Sequence, residues 1–122
     1  MDRSGVPRPP QALLPLTPAA FHILLALADG ERHGYAIMLE VAQRTEGRVR
    51  LGPGTLYRSI KNMLAAGMIE ESGERPDPEL DDERRRYYRL TEYGHRVAAA
   101  EAARLASLVR EARQKHLLPV RG

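Results

Sequence analysis

The apolar residues change period at Gly67, and that change limits the fold more than any other feature of the chain. Upstream, apolar residues recur at helical spacing in three short blocks separated by Gly and Pro. Downstream, Met68 to Ser72 and Arg85 to Leu90 read as two strands, and helical spacing returns after Thr91. The order is therefore helix, helix, helix, strand, long loop, strand, helix. That order predicts a mainly α fold with a small β-hairpin (α+β): a winged helix-turn-helix followed by a long C-terminal helix.

Each block has its own punctuation. Thr17-Pro18 opens the first helix, with Thr as cap and Pro pre-organised for the first helical position. Phe21, Leu24, Leu25 and Leu27 give it an apolar face, and Asp29-Gly30 stops it. A second helix starts near His33-Gly34, carries Tyr35, Met38, Leu39 and Ala42, and ends before Gly47. Arg48 to Leu51 is short, basic and β-compatible, and Gly52-Pro53-Gly54 forces a turn. Thr55 is expected to cap a third helix, with Leu56, Ile60, Met63 and Leu64 buried and Gly67 at its end. Thr91 caps the last helix, expected from Glu92 to His116.

The domain organisation follows. Residues 1–16 hold Pro7, Pro9, Pro10 and Pro15, and read as a flexible arm. Residues 17–91 form the winged helix-turn-helix, 92–118 a dimerisation helix, and 119–122 a tail. The chain of 122 residues holds one core and no more. With one Phe and no Trp, that core is built from Leu, Ile, Val, Met and Ala. No Cys is present, which excludes disulfides and thiolate metal sites and fits a reducing compartment, the cytoplasm. The longest apolar run, Ile23 to Ala28, is far below the ~18 residues a membrane span needs. Arg3 and Arg8 precede a passable cleavage site at Ala26-Leu27-Ala28, but Pro15, Pro18 and His22 interrupt the stretch, and no signal peptide is expected.

Charge points to a partner. The net charge is +3. From Arg44 to Lys61, Arg44, Arg48, Arg50, Arg58 and Lys61 face one acid, Glu46. A local excess of this kind suits phosphate binding, because each neutralised phosphate releases counterions. Arg58, Lys61 and Asn62 fall opposite the apolar stripe of the third helix, the helix that enters the major groove in this architecture. The bland alternative is a solvated helix face. The hairpin is less clean. Arg84, Arg85 and Arg86 cluster at the base of its second strand, while Asp77, Glu79, Asp81, Asp82 and Glu83 carry the opposite charge. Either the Arg run approaches phosphate, or the acids neutralise it within the hairpin.

Three stretches are familiar together: LTPAAFHILLALADGERHGYAI, GPGTLYRSIKNMLAAGMIEE and RRRYYRLTEYG. They resemble the PadR-like family of transcriptional regulators, from Leu16 to about Leu118. The resemblance implies a dimeric winged-helix repressor on a palindromic double-stranded DNA operator, with dimerisation through the last helix. Its patterns fall on Gly34 and Tyr35 in the second helix and on Gly54, Thr55, Leu56 and Tyr57 in the third. The long acidic loop departs from the pattern, as does Met63-Leu64, where many members carry a more charged helix end. Any small-molecule effector is unspecified; the resemblance implies a place for one at the dimer interface. On physical grounds Gly34 permits close helix packing. Tyr35 either reaches a phosphate or plugs the gap between helices. Tyr57 borders the apolar face, which favours packing, with a DNA contact second. Thr55 is placed to offer its hydroxyl to phosphate at a helix N-terminus.

The last helix carries a heptad-like seam of Ala98, Ala102, Leu105, Val109 and Ala112, with Leu108 beside it. The reading is a homodimer through this seam; the alternative is a helix folded back on its own core. Catalysis is not expected. His22, His33, His95 and His116 lack ligand spacing, no Ser lies in a nucleophile elbow, and Gly52-Pro53-Gly54 lacks the Lys-Ser/Thr of a phosphate loop. No metal or cofactor is expected. The rival class is a winged helix used for protein–protein contact, which would lose the basic face.

Overall fold

A computed structural model describes residues 8–74 and 86–119. Its elements are α1 (Pro18–Leu27), β1 (Arg32–His33), α2 (Gly34–Arg44), α3 (Pro53–Ala65), β2 (Ile69–Glu74), β3 (Arg86–Leu90) and α4 (Glu92–Gln114). The three strands form one antiparallel sheet in the order β1-β3-β2. This is the winged helix-turn-helix that the change of period predicts.

The core sits between the helices and one face of the sheet. Ile23, Leu24, Ala26 and Leu27 of α1 meet Ile37 and Val41 of α2, Leu56, Ile60 and Met63 of α3, and Val97 of α4. Tyr88 is the inward residue of β3, between half-buried Tyr87 and exposed Arg89. Each Leu or Ile buried in this way contributes about 1.5–3 kcal/mol relative to exposure. Leu56 and Ile60, at 0% and 3% exposure, are core residues as their spacing requires.

Several expectations are corrected. Thr55 does not cap α3. Gly52 is the N-cap residue, Pro53 takes the first helical position and Thr55 lies inside the first turn. The physical reason is the one that works at α1: proline's fixed φ and missing N–H suit the first helical position, so the helix starts at the proline. Arg48 to Leu51, left without an element of its own by the expected order, stays outside the sheet. Thr45 closes that turn, its hydroxyl donating to Val41 O (2.8 Å) and accepting from Val49 N–H (3.0 Å). The extra strand is β1, whose Arg32 and His33 pair with Tyr88 and Tyr87. α4 ends at Gln114, two residues before the expected end.

The N-terminal segment is also corrected for its described part. Pro10–Leu13 is a 3-10 turn with Pro10 buried, and Leu13, Leu14 and Leu16 pack against the core. Tyr93 Oη donates to Arg8 O (2.7 Å), and Leu16 N–H donates to Glu101 Oε2 (2.9 Å). The prolines exclude α-helix and strand here, but they do not prevent apolar side chains from finding the groove beside α4. Residues 1–7 lie outside the described residues.

α4 divides into two parts. Its first turns carry buried Gly94, Val97 and Glu101, packed on α1 and on the N-terminal turn. Ala98 packs against this same intrachain core. From Ala106 to Glu111 every residue is exposed, so nothing among the described residues covers that part of the helix. Neither α4 nor any other helix among the described residues is long and apolar enough to cross a membrane.

Candidate nucleic-acid interface

The interface is built on α3. Leu56 N–H donates to Gly52 O (2.9 Å), which fixes the first turn and leaves Gly52, Pro53 and Gly54 exposed at the helix entrance. The buried stripe of Leu56, Ile60 and Met63 sets the rotation of the helix about its axis. Arg58, Lys61 and Asn62 are consequently exposed, and neither cation makes an ion pair with a described residue. Thr55 is half-buried.

Two further elements flank this face. Tyr57 of α3 is half-buried and packs on Gly34, so the first turn of α2 lies beside α3. Tyr35, in that first turn, is 42% exposed. The turn itself is held by His33, whose Nδ1 accepts from Ala36 N–H (3.0 Å) and whose ring sits edge-on to Tyr87 at 5.3 Å between centroids. Arg50 is exposed before α3, its guanidinium folded towards Gly47.

The charges are more committed than a count of basic residues implies. Arg44 is bound within the fold: Nε donates to Glu40 Oε1 (3.0 Å), Nη2 to His22 O (3.2 Å), and Nη1 lies 3.2 Å from His22 Nδ1. It ties α1 to α2. Burial, and then the Arg44 charge, lower the His22 pKa from its ordinary value, against a smaller opposing effect of Glu40. On the wing, Arg89 pairs with Glu70 (2.9 Å) and Arg86 approaches Glu71 (3.9 Å), both across β2 and β3. For Arg86 one acid, Glu71 of the opposite strand, is thus within ion-pair reach, although exposed pairs of this kind are worth about 0–1 kcal/mol and leave the side chain free to exchange partners. Arg84, Arg85 and the acidic tip lie outside the described residues.

Sequence reasoning missed Glu101, which is 2% exposed on α4. Its carboxylate accepts from Arg104 Nε and from Leu16 N–H. The Arg104 hydrogen bond is the largest influence and holds the carboxyl below the usual range, burial opposes it, and the Leu16 amide adds to the lowering. The seam residues fall unevenly. Ala102 is exposed, Leu105 and Ala112 are half-buried, and Leu108 and Val109 are 49% and 38% exposed. Among the described residues no group of three or more His, Cys, Asp and Glu is placed to hold a metal ion.

Three helices, a wing and a cationic face on the third helix define a winged-helix DNA-binding protein. A family model, the transcriptional regulator PadR-like family, matches residues 23–100, and the chain belongs to that family. It is 33% identical over 90 residues to a transcriptional regulator of Mycobacterium tuberculosis, a match covering 74% of this chain and 78% of that protein. It is 37% identical over 89 residues to an uncharacterised 37.1 kDa protein of a Streptomyces fradiae transposon, covering 70% of this chain and 22% of that protein. The chain thus matches about a fifth of the transposon protein's length. A solved transcriptional regulator from Clostridium thermocellum shares the fold with a TM-score of 0.64 at 23% identity, over 80% of this chain and 87% of that one. Family membership assigns the chain to transcription regulation and DNA binding rather than to catalysis.

Proposed function

We propose that this regulator is a homodimeric repressor that binds a palindromic DNA operator, with α3 in the major groove and α4 as the seam. One observation carries the reading. The α3 face opposite Leu56, Ile60 and Met63 presents Arg58, Lys61 and Asn62 together, and Tyr35 is exposed in the first turn of α2, whose Gly34 meets Tyr57 of α3. Arg and Asn are the side chains that read guanine and adenine edges, while Lys and a Tyr hydroxyl suit phosphate. Gly54 and Thr55 supply the helix N-terminus that favours an anion, Arg50 stands just before it, and the Arg84, Arg85 and Arg86 run of the sequence is assigned to phosphate contact. Tyr57 acts by packing, with a DNA contact second.

Two such helices reach successive major-groove faces when half-sites are about 34 Å apart, which a two-fold dimer supplies. The uncovered part of α4 supports the dimer. Repression follows from occupancy of an operator, and the cytoplasm is the compartment of that DNA. The test is selection of a duplex from a random library with purified protein, followed by titration on selected and scrambled duplexes at rising salt. Tight, salt-sensitive binding to the selected duplex is expected. Equal weak binding to both would refute sequence-specific recognition.

A further inference from the structure

α3 and α4 are joined without slack. α3 closes at Gly67, whose φ of +78° turns the chain directly into Met68. Thr91, the cap of α4, then meets that exit at three points. Its N–H donates to Met68 O (3.1 Å), and its hydroxyl lies 2.6 Å from Gly67 O and 3.1 Å from Met68 O. The same hydroxyl accepts from Gly94 N–H (2.9 Å). Gly94 completes the contact. A Cβ there would stand 1.8 Å from Met68 O, where real Cβ contacts do not fall under 3.0 Å. The atom in the way is backbone, so the first turn of α4 sits closer to the exit of α3 than any residue with a side chain allows.

None of the residues assigned to the DNA-binding face takes part in this contact. What the contact does fix is the direction of α4 relative to α3. α4 is 23 residues long, about 35 Å at ~1.5 Å per residue. Its uncovered part begins more than two turns beyond Gly94, so a small tilt at the junction becomes a larger displacement at the seam.

We propose that Thr91 and Gly94, seated on the carbonyl of Met68, are positioning residues that set the distance between the two recognition helices and so the half-site spacing the protein accepts. The inference rests on the proposed dimer through α4. Successive base pairs are ~3.4 Å apart along the axis, so a displacement of a few ångströms at each junction is enough to change the best spacer.

The experiment uses the full chain and the duplex it selects, re-synthesised with one or two base pairs added to or removed from the centre, together with a duplex holding a single half-site. The native protein is expected to be a dimer with one preferred spacer. Gly94→Ala is expected to remain dimeric by sedimentation and to bind the single half-site within about threefold of native. It should lose about tenfold or more on the native spacer, or move its optimum, because the rigid separation of the two helices is what a spacer series reads. Thr91→Val, which removes the hydroxyl at nearly constant shape, should act in the same direction, and Thr91→Ser should restore native behaviour. Should Gly94→Ala fail to fold, the Thr91 pair decides the matter. A folded, dimeric Gly94→Ala or Thr91→Val protein with the native optimum and native affinity overturns the proposal, as does an equal loss on the single half-site. A native protein that is monomeric or indifferent to the spacer overturns the dimer reading first, before any variant is made.

Discussion

Tyr57 on α3 occupies the space that a side chain at Gly34 on α2 would need: its hydroxyl and Cε1 lie 2.8 and 2.9 Å from the position of a Cβ there. The angle between the two helices of the helix-turn-helix depends on that pair. Gly34→Ala must push the ring aside, and overpacking of this kind costs about 1–3 kcal/mol. Lower thermal stability is expected together with weaker specific binding. Tyr57→Leu combined with Gly34→Ala should recover part of the loss, because contacting residues do not add. A double-mutant cycle on melting temperature and DNA affinity checks this. Strict additivity would mean that the two residues are uncoupled.

The two faces of α3 should separate by experiment. Arg58→Ala and Lys61→Ala are expected to weaken DNA binding while leaving stability within about 0.5 kcal/mol, since both side chains are exposed. A phosphate contact removed at either position lowers the slope of log affinity against log salt by roughly one. A base contact instead relaxes preference at one position of the duplex. Leu56→Ala, at a fully buried site, should cost about 2–5 kcal/mol. Chemical denaturation beside salt-dependent titration distinguishes them. If Arg58→Ala lost stability and kept affinity, the faces would be reversed.

Glu101 gives a pH dependence with a definite sign. Its carboxyl is held below the usual range, first by Arg104 and then, with burial opposing, by the Leu16 amide. An acid with a depressed folded pKa stabilises the fold fully above its unfolded value, about 4.3 for Glu. That contribution is lost as pH falls below this value and through the folded one. His22, also depressed, acts at higher pH: it stabilises the neutral fold above about 6.5 and loses that contribution on acidification. Glu101→Gln should therefore lower stability near neutral pH and flatten the melting-temperature profile below about pH 4.3, leaving in place the fall that His22 contributes below about pH 6.5. An unchanged acid limb would show that the pair contributes nothing to folding.

What was legible in the sequence was whatever rests on near neighbours. Thr17 caps α1 through Ala20 N–H, three residues away, and the Thr-Pro pair announces it. The same rule placed on Gly52-Pro53 gives the true start of α3; reading Thr55 as the cap passed over the proline that fixes it. The buried stripe of α3, and with it the exposure of Arg58, Lys61 and Asn62, follows from period alone. Features set by distant partners were not legible. β1 has two residues and no period to detect, and it exists because Tyr87 and Tyr88 offer it an edge. Arg44 counts as a free cation in any composition, yet it is bound to His22, 22 residues earlier. Glu101 looks like a surface acid on a helix until Leu16, 85 residues away, brings an amide to it. Ala98 fits the heptad of the seam, but the intrachain core takes it first.

The seam itself is the last expectation to test. Beyond Glu101 the remaining candidates are Ala102, Leu105, Leu108, Val109 and Ala112, and Leu108 and Val109 are the large ones left open, at 49% and 38% exposure. Leu25 on α1, 37% exposed, adds apolar surface from the first helix. Alanines let two helices approach closely but bury little area, so at about 25 cal/mol per Å² the leucines and the valine dominate any association. Glutamate at two of these positions would bring like charges face to face across a two-fold axis and would bury them in an apolar contact. Leu105→Glu with Leu108→Glu is therefore expected to convert a dimer into a folded monomer, since neither side chain belongs to the intrachain core. Operator affinity should fall steeply while binding to a single half-site persists. Sedimentation of the native chain and of the double variant at micromolar concentration, with circular dichroism to confirm folding, checks each step. A native monomer, or a double variant that stays dimeric, would show that α4 is not the interface.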